Sequence, residues 1–392
     1  FAGTSGTVTL GTNITAGGLW FNTSGYNLSL GSNTLTLGAA SNTVSLNANH
    51  AALTGTISGT IASTGNVRFD GGSYQGVVSK GTLNLIGTVA GGWSGTTTIT
   101  DGMTLALAGT NQALLNTAAI NLVSGGITLT SINNATEAAL DRISNSAPIT
   151  SNNGTIKYTT TNGTRIYSET MGTVSLASGQ TSIQLVTNQT SGTQTLTLSG
   201  LTRSGSTASI NFSPSAANAS LNATRNRIVV AGATATPAGQ IIGAWATAGT
   251  GTTYNYAVYD ASGNVLASTI AASNESTWTT AANAYTASAA QSLATTRTMT
   301  GLRLTSTAAV ITVGSGARLE TYGLLTTAAS GTNMISGSGA LTTPTGGGSL
   351  FLSPASGGQL QIAAPIADNN GAVTLVKNGA GSVSLSGSST FT

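Results

Sequence analysis

The sequence predicts an all-β chain built as a long stack of short strands, a β-solenoid. Three observations carry that expectation. Apolar residues recur in period-two pairs along most of the length, the mark of strands with one face turned inward. Only 5% of the 392 residues are charged, against about 25% in ordinary domains. Gly, Ser and Asn separate the pairs, and the 52 glycines supply corners where φ turns positive.

The pairs begin with Val8/Leu10, Leu28/Leu30, Leu35/Leu37, Val44/Leu46, Val67/Phe69 and Leu83/Leu85. They continue through Leu105/Leu107, Ile127/Leu129, Val174/Leu176, Ile183/Leu185, Leu196/Leu198, Ile210/Phe212 and Ile228/Val230. Leu302/Leu304, Ile311/Val313 and Val383/Leu385 close the series. A sandwich or barrel stops after roughly seven to ten strands, whereas sustained repetition is the signature of a solenoid. If coils average about twenty residues, the chain makes roughly eighteen to twenty of them, each adding about 4.8 Å.

Polarity comes from Thr, Ser and Asn rather than from charge. Thr suits strands because its branched Cβ fits a pleated surface. Mean hydropathy is slightly positive, which excludes a disordered polar tract. The net charge of +3 is spread thinly; Arg225 and Arg227 are the nearest basic pair, so no nucleic-acid footprint is formed. Cysteine is absent, which excludes disulfides and thiolate metal sites. No apolar run reaches the ~18 residues of a membrane span.

Two stretches break the rhythm. Residues 133–143 are the best helix candidate, with Asn134 and Glu137 at capping-box spacing. Residues 244–295 hold Trp245, Tyr254, Tyr256, Tyr259, Trp278 and Tyr285. They read as a lateral protrusion or insertion between solenoid segments 1–243 and 296–392. Aromatic faces with polar tips suit sugar rings, so these six residues form a possible ligand platform, with packing against the solenoid as the plainer alternative.

The end of the chain carries the most specific motif. Leu375, Lys377, Gly379, Gly381, Leu385 and Gly387 fall on a two-residue spacing that Val383, Ser389 and Phe391 share, and Thr392 closes the run. Gly81, Leu83, Leu85 and Gly87 repeat part of that spacing, followed by Trp93 to Leu107. This run resembles the bacterial autotransporter-associated β-strand repeat, in which Leu, Asn and Tyr stand where this chain has Val383, Ser389 and Phe391. The resemblance implies a right-handed parallel β-helix, of secreted passenger type, displayed outside the cell.

Chemistry is thin. Glycoside hydrolysis needs two carboxylates about 5–10 Å apart, and of nine acids only Glu137 and Asp141 are near in sequence, at i,i+4. His50 is the only histidine and sits in no nucleophile-elbow pattern. No metal-ligand spacing and no Gly-Gly-x-Gly-x-Asp array is present, so neither cofactor nor metal is expected, and the chain reads as no enzyme.

The expected function is that of an extracellular structural solenoid forming a rod, fibre or surface-layer element. A glycan-binding adhesin is the alternative and a β-helix carbohydrate-active enzyme the third reading. The sequence opens directly in strand-like residues and stops inside a motif. That leads to an expectation of head-to-tail self-association or continuation in a longer chain. Its surfaces would be Phe1, Val8 and Leu10 at one end and Leu375, Lys377, Val383, Leu385 and Phe391 at the other.

Overall fold

A computed structural model describes residues 1–46, 52–74, 77–78, 80–86, 93–109, 114–131, 141–187, 189–214 and 220–391. Two compact units are formed, one by residues 1–208 with 224–232, the other by 209–223 with 233–392. The described chain is all but free of helix and about half strand, with parallel sheets stacked as a β-solenoid of about 13 turns. That is fewer turns than coils of about twenty residues would give, because the loops between strands are longer. The step from Leu105 to Ile127 is shorter than the step from Ile127 to Ile156, yet both join neighbouring strands of one sheet.

In the first unit the core is a set of ladders. Leu83, Leu105, Ile127, Ile156 and Ile183 stand in register on successive parallel strands, with Leu85, Leu107, Leu129, Tyr158 and Leu185 beside them. All ten are buried. A second parallel sheet contributes Val67, Ile120, Ile149 and Val174. A third, of strands Ile166–Met171, Thr193–Leu198 and Asn226–Val230, adds Leu196 over Glu169 and under Ile228. Alternation thus turns Leu, Ile and Val inward and Thr, Ser and Asn outward, as a pleated strand requires.

The corner joining the second sheet to the first is made the same way in four successive turns. Asp101, Ser124, Asn153 and Gly179 each hold φ between 53° and 63°. Neighbouring corners are tied by backbone bonds, Ser124 N–H to Asn152 O and Asn153 N–H to Ser178 O, both 2.9 Å. Asn and Asp tolerate this left-handed region better than other side chains. At Gly179 there is no room either: an added Cβ would lie 2.8 Å from Asn153 Cβ. Gly179→Ala is therefore expected to destabilise the chain by about 2 kcal/mol, read as a lowered denaturant midpoint. Ser124→Gly, which relieves the same backbone strain, is expected to cost nothing.

The second unit repeats the principle on three parallel sheets. Leu302, Leu324 and Leu352 form one ladder, Ile311, Ile335, Ile362 and Leu385 a second, and Leu319 pairs Leu341 on the third. The 244–295 stretch contains antiparallel pairing: Ala246–Ala248 with Asn255–Tyr259, and Asn255–Tyr259 with Val265–Ala267. Among the described residues the helical elements are two 3-10 turns, Gly251–Thr253 and Glu275–Thr277. The helix expected over 133–143 lies outside the described residues except at 141–143. There the chain is not helical, and Ile143 makes a parallel bridge to Leu114.

Candidate functional site

Five of the six aromatic residues of 244–295 divide between two apolar clusters. Tyr254 and Tyr256 pack with Ile241, Leu325 and Phe351, with Trp245 half-buried against them. Trp278 stacks on Tyr285 at 5.9 Å in the cluster that also holds Leu302 and Leu324. Trp278 is 1% exposed, and its indole N–H donates to Ser273 Oγ at 3.1 Å. The Tyr256 hydroxyl donates to Leu302 O at 3.3 Å. Burial raises the Tyr254 and Tyr256 phenols above their ordinary value and pushes Tyr259, half-buried, up to about 12. Four rings with buried faces leave Trp245 and Tyr259 as the partly accessible members.

The residues expected at the two ends are placed as follows. Phe1 stacks on Phe21 at 4.9 Å and leans on Tyr26 at 5.6 Å, while its ammonium donates to Trp20 O. Val8 pairs with Leu28 and is 38% exposed; Leu10 is half-buried. Leu375, Val383 and Phe391 pack partly buried on the core of the second unit. Leu385 is 50% exposed, and the Lys377 ammonium donates to Gly379 O.

The carboxylates are dispersed. Glu137 and His50 lie outside the described residues. Two acids distant in sequence do converge: Arg68 bridges Asp70 at 3.2 Å and Asp101 at 3.0 Å. Asp70 also accepts from Gly72 N–H, and Asp101 from the Thr100 hydroxyl. A guanidinium between two carboxylates makes a clasp between adjacent coils rather than a free acid and base. Glu275 is held in the same manner by Arg297 at 2.6 Å. Glu320 accepts from Thr298 and Asn369, and Asp368 caps the Val373 N–H. Among the described residues no group of three or more His, Cys, Asp or Glu could hold a metal ion.

One strongly altered carboxyl is internal. Glu169 is 1% exposed and accepts the backbone N–H of Arg142 on both oxygens, at 2.9 and 3.0 Å, and that of Ile143 at 3.2 Å. Desolvation pushes its carboxyl up to about 8, against the lowering effect of those amides and of the Arg142 charge. Arg142 is fully buried and donates to Gly109 O. Tyr158, raised by burial and by Glu169, and Tyr167 complete the surroundings. The signal for this arrangement was the alternation Tyr167, Glu169, Met171, which turns the carboxylate inward with two apolar neighbours.

Comparison with known proteins bears on where such a chain is used. It is 35% identical over 136 residues to the Adhesin BmaC autotransporter of Brucella suis biovar 1 (strain 1330). Fold and similarity together fit an autotransporter-type β-helix passenger. The matched region is 33% of this chain and 4% of that adhesin. No family model matches, and no solved structure matches. Among the described residues no helix is long and apolar enough to cross a membrane.

Proposed function

We propose that this chain is a structural, non-enzymatic segment of a bacterial surface protein, exposed outside the cell. In this reading it builds a rod, fibre or surface-layer element by stacking coil on coil. The observation that carries it is the unbroken parallel ladder from Leu83 through Leu105, Ile127 and Ile156 to Ile183. Such a stack extends by one strand spacing per turn, about 4.8 Å, and resists shear because every interior strand is bonded on both sides. The outward faces are Thr- and Ser-rich and carry little charge, which lets similar surfaces lie side by side. The clasped or buried state of Asp70, Asp101, Glu169 and Glu275 supports the absence of catalysis.

The similarity to an adhesin favours one second reading, adhesion, in which the solenoid presents a binding surface. In either case Phe1, Val8 and Leu10, and Leu375, Lys377, Val383, Leu385 and Phe391, are the surfaces that head-to-tail contact or further chain would cover. Electron microscopy of the purified chain at rising concentration tests the structural reading. Elongated particles are expected, joining into filaments with an axial repeat of one particle. Isolated elongated particles at every concentration would remove self-association, and compact round particles would overturn the rod.

A further inference from the structure

A groove of about 400 Å³ runs across the outer face of the first sheet of the first unit. Its floor is Gly126, which stands between Thr104 and Thr155 on adjacent strands. A Cβ at Gly126 would lie 3.2 Å from Thr155 O, 3.4 Å from Thr155 Cβ and 3.8 Å from Thr104 Oγ1, so a side chain there is tight but not excluded. The next outward row sets Thr128 between Ala106 and Lys157. Asn153, from the left-handed corner column, and Lys80 also line it, each two residues before its strand, Thr155–Thr160 and Thr82–Ile86.

The charge in this groove is one-sided. No carboxylate lines it. Asp101, next in sequence to the lining Gly102, is held by Arg68. Among the described residues neither Lys80 nor Lys157 makes an ion pair. The strands after Lys80 and around Lys157 are three spacings apart, about 14 Å along the stack. A single small anion cannot reach both ammonium groups. An extended polymer with repeated negative charges can, and the hydroxyl and amide groups between them match a hydroxyl-rich backbone better than an apolar one.

The geometry points to this groove as a binding site for an anionic polysaccharide, with Lys80 and Lys157 engaging successive acidic groups and Thr104, Thr128 and Asn153 bonding sugar hydroxyls between them. Its contribution per cation is modest because both ammonium groups are near solvent. Useful affinity therefore comes from many such contacts along one polymer. This site is independent of the structural role proposed above; the failure of either leaves the other standing.

Binding of the full 392-residue chain to immobilised polygalacturonate and to dextran sulfate, with neutral dextran and polyglutamate as controls, tests the assignment. The carboxylated and sulfated polymers tell which acidic group is preferred. Binding to at least one of them is expected, lost in 1 M salt, where the screening length falls to about 3 Å. Lys80→Gln and Lys157→Gln are each expected to weaken it up to about fivefold. Gly126→Thr fills the floor without changing charge and is expected to weaken it further. Thr128→Val, which removes a hydroxyl while keeping the branched shape, is expected to weaken it about twofold to threefold. Equal binding to polyglutamate or to neutral dextran would overturn the assignment, as would undiminished binding by both lysine variants or by both Gly126→Thr and Thr128→Val.

Discussion

Glu169→Ala is expected to lower the stability of the chain by about 3 kcal/mol or more, measured as a shift in the denaturant midpoint. Three contacts from two buried backbone N–H groups, on Arg142 and Ile143, would lose their acceptor at once, and an unsatisfied buried donor costs about 1–3 kcal/mol. Glu169→Gln keeps an acceptor oxygen and the same shape, and is expected to cost far less at neutral pH. The two variants also separate by pH. Folding raises the Glu169 carboxyl from near 4.5 to about 8, so the folded chain favours the protonated form. Its contribution is complete below the unfolded value and is lost as pH rises through the folded one. Thermal unfolding of the wild type should therefore move to lower temperature between pH 5 and 9, by an amount the Gln variant does not show. Asp141 and Arg142 act on the same carboxyl in opposite directions, Asp141 raising it and Arg142 lowering it. A flat wild-type profile would mean that Glu169 is ionised in the folded chain throughout that pH range.

Trp278→Ala is expected to cost about 3–5 kcal/mol, the usual price of emptying a large buried site. The indole is 1% exposed, stacked on Tyr285 and bonded to Ser273, so its loss leaves a cavity and an unpaired hydroxyl. Trp245→Ala, at a half-buried position, is expected to cost less. Measured together with binding to neutral and acidic glycans, the pair separates packing from recognition. Loss of glycan binding in the Trp278 variant with unchanged stability would restore the aromatic platform as a ligand site.

Most of the strand layout was legible in the sequence because a pleated strand writes its inward face at every second residue. Leu83/Leu85, Leu105/Leu107, Ile127/Leu129 and Ile183/Leu185 are all inward and buried. The tail motif was legible for a related reason. An added Cβ at Gly381 or Gly387 would lie 2.2 or 2.4 Å from a backbone carbonyl of the preceding coil, Ala355 or Ala364. Close coil contact excludes a side chain there. What could not be read is anything set by stacking partners distant in sequence. The clasp of Arg68 on Asp101, the groove above Gly126 and the inward acceptor role of Glu169 all arise between coils. Coil length was misjudged because loop residues carry no periodicity. The corner column was hidden because Asp101, Ser124 and Asn153 occupy positions where glycine was the expected residue.

The ladder keeps count of strands and is indifferent to how many residues pass between them. Ile127 to Ile156 spans a longer stretch than Leu105 to Ile127, yet each step places its apolar residue directly on the one before. Material inserted at a corner would leave every rung where it was, whereas one residue inserted within a strand would turn its apolar side outward. A chain built on this rule can gain or lose loops freely over generations while its frame stays unchanged, so variation is channelled to the outside of the stack, where other surfaces are met.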